Sequence, residues 1–441
     1  MEKNQYTSAT APDVAAAGVA SRRTAYYVLA VLTVASVVNL MDRQILAILL
    51  VPIQSDLKLS DTQMGLIAGP AFGAVYALAG LFLGRLADRW NRRTLIACAI
   101  AFWSAATAAS AAVTSFAQLM ATRMLVAIGE SGSAPAAFSI LSDLFPTQRR
   151  ATVIGIMLVG SSAGLFLGMY LGGLLAEHYG WRTAFVLFGV PGLALALLVR
   201  LTVREPVRGA MDGVSRADAD SRTAFSVLRY LFSLRTYQLL LCAASMHQIL
   251  NAMWMAWMAA FLIRVHGFST SEAGLLLGLG GGLGAMTGNL AGGYLSDRLT
   301  RLGPRASLVV PSVALLASTV PFSVFLLVES KVLLLVAFIP FAFCVSCAFG
   351  PALATGLALA KPHMRGFAAS LYSTVTQLVG LTVGPLLIGA LNDGFQPRYG
   401  DDAVRYSLSV VIVFAVVAAA VFLLASRTVA RDVWAPGRDA A

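Results

Sequence analysis

Two places in the 441-residue chain hold side chains able to do chemistry, and both lie inside apolar runs. Asp42 and Arg43 stand side by side between about Tyr26 and Val51, while Arg123 and Glu130 stand seven apart in a second run. On a helix that separation projects both side chains from one face, about 10 Å apart along the axis. A charge at the centre of a bilayer costs ~2.5–3.5 kcal/mol on insertion scales, so such residues mark functional sites by default and need partners. A carboxylate in a dry site is driven toward its protonated form and a nearby arginine opposes this, so a change in access to water can load or release a proton. Arginine stays charged and cannot carry that proton, but its forked donors suit a carboxylate or a phosphate.

The elements that must position these residues are membrane helices. Hydrophobic residues make up 58% of the chain and charged ones 12%, which excludes an ordinary soluble domain. Runs long enough to cross the hydrocarbon core fall at about 24–52, 63–86, 94–114, 116–144, 151–176, 182–203, 237–264, 272–297, 306–328, 331–359, 364–391 and 403–426. The expected fold is therefore all-α, with twelve transmembrane helices. Its parts are an N-terminal tail (1–23), a six-helix bundle (24–203), a polar turn-rich linker (204–236), a second six-helix bundle (237–426) and a C-terminal tail (427–441). Sorting loops alternately puts 24 of 32 Lys and Arg on the side of both tails and the linker, 6 on the other side and 2 inside. Asp and Glu divide 11, 8 and 2, so the bias belongs to the bases and both tails are expected in the cytoplasm. The net charge of +11 reflects this topology and gives no reason to expect nucleic acid.

Cys98, Cys242, Cys344 and Cys347 lie in apolar spans and read as small hydrophobes, with no metal-ligand spacing around Cys344-x-x-Cys347. No nucleotide loop or haem pair occurs, so no cofactor is expected and energy comes from an ion gradient or transport is uncoupled. The stretch Gly84-Arg85-Leu86-Ala87-Asp88-Arg89 returns as Gly293-Tyr294-Leu295-Ser296-Asp297-Arg298, each after the second span of its half. Such placement signals an internal duplication, common among secondary transporters.

Gly84-x-x-x-Asp88-Arg89-x-x-Arg92-Arg93 resembles the signature of the major facilitator superfamily, and Gly293 to Arg298 resembles its weaker second copy. The resemblance implies two pseudo-symmetric six-helix bundles and a conformational latch formed by Gly84, Asp88, Arg89, Arg92 and Arg93. Asp297 and Arg298 carry the same role in the second half, and Asp143 is a candidate partner for the arginines. Within the superfamily the chain resembles the Spinster branch at Asn39-x-x-Asp42-Arg43, Phe102-Trp103-Ser104, Arg123 through Gly129-Glu130-Ser131, Ser142-Asp143-Leu144-Phe145 and Gly180-Trp181-Arg182. That branch implies a lipid-like substrate and coupling to protons. The short tails resemble a bacterial member, hence the cell inner membrane; a monomer is the expected state.

In this superfamily helices 1 and 4 line a central cavity, so Asp42, Arg43, Arg123 and Glu130 are expected to form one neutral cluster. Asp42 and Glu130 would exchange protons, with Arg123 and Arg43 setting their affinities. Arg43 is the preferred substrate contact because Arg123 has a same-face acid of its own, and Asn39 and Arg123 are further candidates. Helix 7 offers His247, Gln248, Asn251 and Trp254 among four methionines, a soft apolar wall that suits the tail of an amphiphile. Helix packing is the alternative for each of these four, most of all for His247. Helix 5 carries Gly160, Gly164, Gly168 and Gly172, a face that lets a neighbour approach closely. The expected activity is proton-coupled transport of an anionic amphiphile by alternating access, with protons and membrane lipids as partners. The alternatives are a small organic anion symporter, a multidrug antiporter and a non-transporting receptor; an enzyme is not expected.

Overall fold

The computed structural model describes residues 21–208, 224–301, 303–361 and 364–433. Residues 1–20, most of the linker and the last eight residues, parts of the expected tails and linker, lie outside the described residues.

The first half starts with α1 (Arg22–Ile48) and α2 (Leu50–Leu57), which together form one span. The second span is α3 (Asp61–Leu66), a π turn at Ile67–Ala71 that contains Pro70, and α4 (Phe72–Arg89). α5 (Arg92–Ala109) is the third. The fourth is α6 (Phe116–Ser131) followed by α7 (Ser133–Leu144), so the helix breaks just beyond Glu130. α8 (Thr147–Thr202) holds spans five and six, which reverse at Gly180, where φ is 80°. A left-handed φ is open to glycine at little steric cost, which is why the chain turns there.

α9 (Ala224–Ser233) then leads into the second half. Its spans are α10 (Arg235–His266), α11 (Thr270–Thr300), α12 (Ala306–Leu327), α13 (Lys331–Cys347) with α14 (Phe349–Leu359), α15 (Arg365–Tyr399), and α16 (Ala403–Leu408) with α17 (Val410–Asp432). Nine stretches among the described residues are long and apolar enough to cross a membrane, and those at Thr152–Thr202 and Arg365–Asp432 each hold two spans. α11 is the remaining one, its hydropathy diluted by glycine. The fold is the twelve-helix arrangement of two six-helix bundles.

Two differences from the sequence expectation have physical causes. The stretch expected as a turn-rich linker contains α9, whose Val227 and Leu231 are buried four residues apart on one face against the second half. The twelfth span continues to Asp432, beyond the expected boundary at 426, because backbone hydrogen bonding does not stop where apolarity does. Asp432 accepts bonds from the Thr236 N–H and hydroxyl, tying that extension to the start of α10.

The halves meet unevenly. We call the end carrying the linker and the described chain ends the near end, and the opposite one the far end. One hydrophobic cluster takes residues from both halves at the far end, including Ile53, Met64, Trp257 and Phe261. Toward the near end each half has a core of its own, around Ile96 and Ile140 in the first and around Tyr237 and Phe422 in the second. Close backbone approaches between halves follow the same rule: a Cβ on Gly65 would lie 2.7 Å from the Pro385 carbonyl, and one on Gly389 would lie 2.4 Å from the Asp61 carbonyl. Gly389→Val is therefore expected to force the far end apart, at an overpacking cost of ~1–3 kcal/mol, read as a lower thermal unfolding midpoint in detergent.

The glycine stripe of the fifth span faces α1. A Cβ on Gly164 would lie 2.4 Å from the Val37 carbonyl, and one on Gly168 would lie 2.8 Å from the Met41 Cα. α1 is thus seated at the turn carrying Asp42 and Arg43, which fixes where those side chains point.

Candidate functional site

Both charged pairs meet at mid-membrane depth, α1 supplying Asp42 and Arg43 and α6 supplying Arg123 and Glu130. Arg43 donates from Nη2 to Glu130 Oε2 at 2.7 Å and from Nε to the same oxygen at 3.1 Å. Its guanidinium also lies 4.9 Å from the Tyr76 ring centroid and 5.2 Å from that of Phe72. Asn39 stands one turn before Arg43, beside Glu130. Arg123 donates from Nη2 to Ser110 Oγ at 2.7 Å, and its guanidinium lies 5.0 Å from the Phe185 centroid. Asp42 accepts one bond, from Thr107 Oγ1 at 3.3 Å.

This pairing reverses the sequence expectation, which gave Glu130 to Arg123 and left Arg43 for a ligand. Two turns of helix separate Arg123 from Glu130 along α6, too far for a direct bond, whereas Arg43 reaches Glu130 from the neighbouring helix. Arg123 is the base with spare capacity. Asp42, Arg123 and Glu130 are at most 2% exposed, yet Asp42 Oδ1, Glu130 Oε1 and Arg123 Nε have no hydrogen-bond partner among the described residues. Leaving a buried polar atom unmade costs ~1–3 kcal/mol, more for a charged group, so three together point to function over packing.

A cavity of about 240 Å³ opens beside this cluster, between the halves. Asp42, Arg43, Gln44 and Arg123 line it from the first half; Gln248, Asn251, Met255, Gln377 and Pro385 line it from the second. One wall is charged and the other offers amides and apolar surface. Gln248 donates to Gln377 at 3.2 Å, and Trp254 Nε1 donates to Asn251 Oδ1 at 3.0 Å, which orients both amides. Trp254 itself packs on the edges of Phe338 and Phe341 outside the lining, so its contribution is to place Asn251. His247 is corrected more fully: its Nε2 sits 2.9 Å from the Val345 carbonyl, in a bond between helices and away from the cavity. α10 is apolar almost all round, so sequence spacing could not tell which of its faces looks inward.

The latch candidates divide as well. Arg92 is buried and bonds Asp143 Oδ2 at 2.5 Å and Glu205 Oε1 at 2.7 Å, while the Arg93 N–H donates to Glu205 Oε2 at 2.9 Å. Glu205 was not foreseen; one acid after the sixth span gives no sign that it folds back onto α5. Gly84 is half-buried, Arg89, Asp297 and Arg298 are exposed, and Arg298 donates to the Tyr294 hydroxyl at 3.1 Å. The side chain of Asp88 lies outside the described residues. At the far end a pairing between halves also escaped the sequence: Arg264 makes a bidentate bridge to Asp61, at 2.7 and 2.8 Å, next to Gln54.

Comparison with known proteins agrees with this architecture. The Major Facilitator Superfamily family description matches residues 32–385. An MFS-type efflux pump of Mycolicibacterium smegmatis is 32% identical over 413 residues, 93% of this chain and 95% of that one. The sphingosine-1-phosphate transporter SPNS2 of Danio rerio is 26% identical over 405 residues, 88% of this chain and 80% of that one. The crystal structure of a bacterial homologue of the human lysosomal transporter Spinster, in an inward-facing, unoccupied conformation, superposes with a TM-score of 0.85 at 28% identity, covering 95% of this chain and all of that one. A helix pair carrying buried acids and bases, set in two six-helix halves and matched over nearly its whole length, identifies the chain: it belongs to the Major Facilitator Superfamily and is a Spinster-like membrane transporter.

Proposed function

We propose that this transporter moves an anionic, single-chain lipid-like molecule by alternating access, driven by protons, in a cell inner membrane with both tails cytoplasmic. The observation that carries the reading is the cavity itself: Asp42, Arg43 and Arg123 on one wall, with Glu130 paired to Arg43, and amides with apolar surface on the other. That division suits an amphiphile whose head meets Arg123 while its tail runs along Met255 and Pro385. Asp42 and Glu130 are the proton sites. Arg43 sets the affinity of Glu130, and opening the cavity to water on either side changes which acid holds a proton. With the far end closed, the cavity faces the cytoplasm, and Arg92, Asp143 and Glu205 belong to the latch that remakes the near end when the halves rock back.

The relative named as an efflux pump favours a second reading, a multidrug antiporter. Competition for binding separates the two: an anionic lysophospholipid is expected to displace a fluorescent lysolipid at micromolar concentration, whereas a short-chain carboxylate or a cationic dye does not. Displacement by the cationic dye, left unchanged by Arg123→Ala, would favour the antiporter.

A further inference from the structure

The two halves repeat one another at the far end in a way that reaches across the gap between them. The second span opens with Ser60-Asp61-Thr62-Gln63-Met64-Gly65-Leu66, and the eighth opens with Ser269-Thr270-Ser271-Glu272-Ala273-Gly274-Leu275. Both starts form a capping box: Ser60 with Gln63, and Ser269 with Glu272. A capping box satisfies the N–H at the third helical position and leaves the first two for other acceptors.

Those acceptors come from the opposite half. Asp393, near the end of α15 in the second half, takes the Asp61 N–H at 3.0 Å and the Thr62 N–H at 2.8 Å. Glu177, near the end of the fifth span in the first half, takes the Ser271 N–H at 3.0 Å. The fifth and eleventh spans are equivalent in the two repeats, as are the second and eighth. Each half therefore lends a carboxylate from the same place to the same place on the other. The packing repeats in step: Gly389 lies against the Asp61 carbonyl, and Gly173 lies against that of Thr270.

We propose that Glu177 and Asp393 are a matched pair of clasps between the halves, positioning residues that hold the far end shut and that release when the cavity opens there. A carboxylate on orphan N–H groups at a helix start gains from both hydrogen bonding and the helix dipole, and the gain ends when the halves separate.

The surroundings keep both groups ionised. Hydrogen bonds from Ser271 and Ser269 hold the Glu177 carboxyl below the usual range, with His178 and Glu272 as its charged neighbours, Glu272 itself paired with Lys331. Burial pushes Asp393 upward, but the donors of Thr62 and Asp61 outweigh it and the carboxyl lies below the usual range. Its charged neighbour is Asp61, whose N–H it accepts and whose carboxylate is bridged to Arg264. A depressed carboxylate stabilises the closed end above the ordinary value near 4 and loses that effect only as pH falls below it. At neutral pH the clasps are therefore set by conformation and not by titration, unlike the proton sites proposed within the membrane.

The inference rests on the alternating-access reading, but its test needs neither substrate nor proton gradient, so the two fail separately. Spin labels on Ser55→Cys and Gln396→Cys, which face each other across the rim cavity from the two halves, report the far end in a background without the native cysteines. Distance distributions by pulsed electron resonance are expected to show a dominant short population in the parent protein. Glu177→Ala with Asp393→Ala should raise the ratio of long to short distances about tenfold, and each alone by less, from typical losses on removing a cap. Glu177→Gln with Asp393→Asn, which keeps one acceptor oxygen at each position, should fall between, and serves if the alanine pair does not yield monodisperse protein. Glu329→Ala, an exposed acid at the same end, should change nothing. A parent-like distribution in the doubly substituted protein overturns the proposal, since the contacts would then follow closure without holding it.

Discussion

Proteoliposomes containing Asp42→Asn or Glu130→Gln are expected to equilibrate the lipid-like substrate without accumulating it. One proton per substrate across one pH unit supplies about 1.36 kcal/mol, enough for about tenfold accumulation, and each variant should bring that ratio to about one. The two substitutions should differ in their structural cost. Asp42 accepts a single bond from Thr107, and an Asn carbonyl can take its place. Glu130 is the counter-charge of Arg43, and breaking a fully buried pair costs ~3–5 kcal/mol. Arg43 is partly exposed and lies over two rings, so Glu130→Gln should fall below that range and remain folded. Thermal shift in detergent checks this, and a lower midpoint for Glu130→Gln than for Asp42→Asn is the expected order.

The second large effect concerns the arginines, whose roles the geometry exchanges. Arg123→Ala is expected to weaken binding of an anionic lysolipid by about 10–150-fold, the range for losing one charge-assisted hydrogen-bonding partner. Binding of an uncharged monoacylglycerol should change little, because Arg123 has nothing to offer a neutral head. Arg43→Ala should act differently: it leaves Glu130 without its base, so the pH dependence of transport should move upward while discrimination between the two lipids is retained. Titration of both lipids against both variants distinguishes these outcomes. If Arg43→Ala lost the headgroup preference and Arg123→Ala kept it, the assignment would be reversed.

The sequence made the four charges legible because a charged side chain in an apolar run is costly enough to stand out. It did not reveal which acid pairs with which base. That depends on how α1 is seated, and Gly164 and Gly168 on a third helix lie against its backbone at that turn. The fold was legible from hydropathy, including α11 at 272–297, where glycine dilutes the signal while serving the packing, as at Gly284 against the Ile339 carbonyl. His247 and Trp254 show where spacing gives out, since a helix apolar on nearly every face carries no direction. Glu205, Asp393 and Glu177 stayed hidden for another reason. Each is an acid in a polar stretch, ordinary by composition, and its meaning lies in a partner from 94 to 332 residues away in sequence.

Coupling between lipid and proton is the claim on which the rest depends, and one measurement addresses it directly. Proteoliposomes with a trapped pH-sensitive dye and no imposed pH gradient are given an anionic lysolipid on one side only. The wild-type protein should change the internal pH as the lipid moves, and Asp42→Asn and Glu130→Gln should abolish that change. Lysolipid flux through the wild-type protein with no change in internal pH would contradict the account.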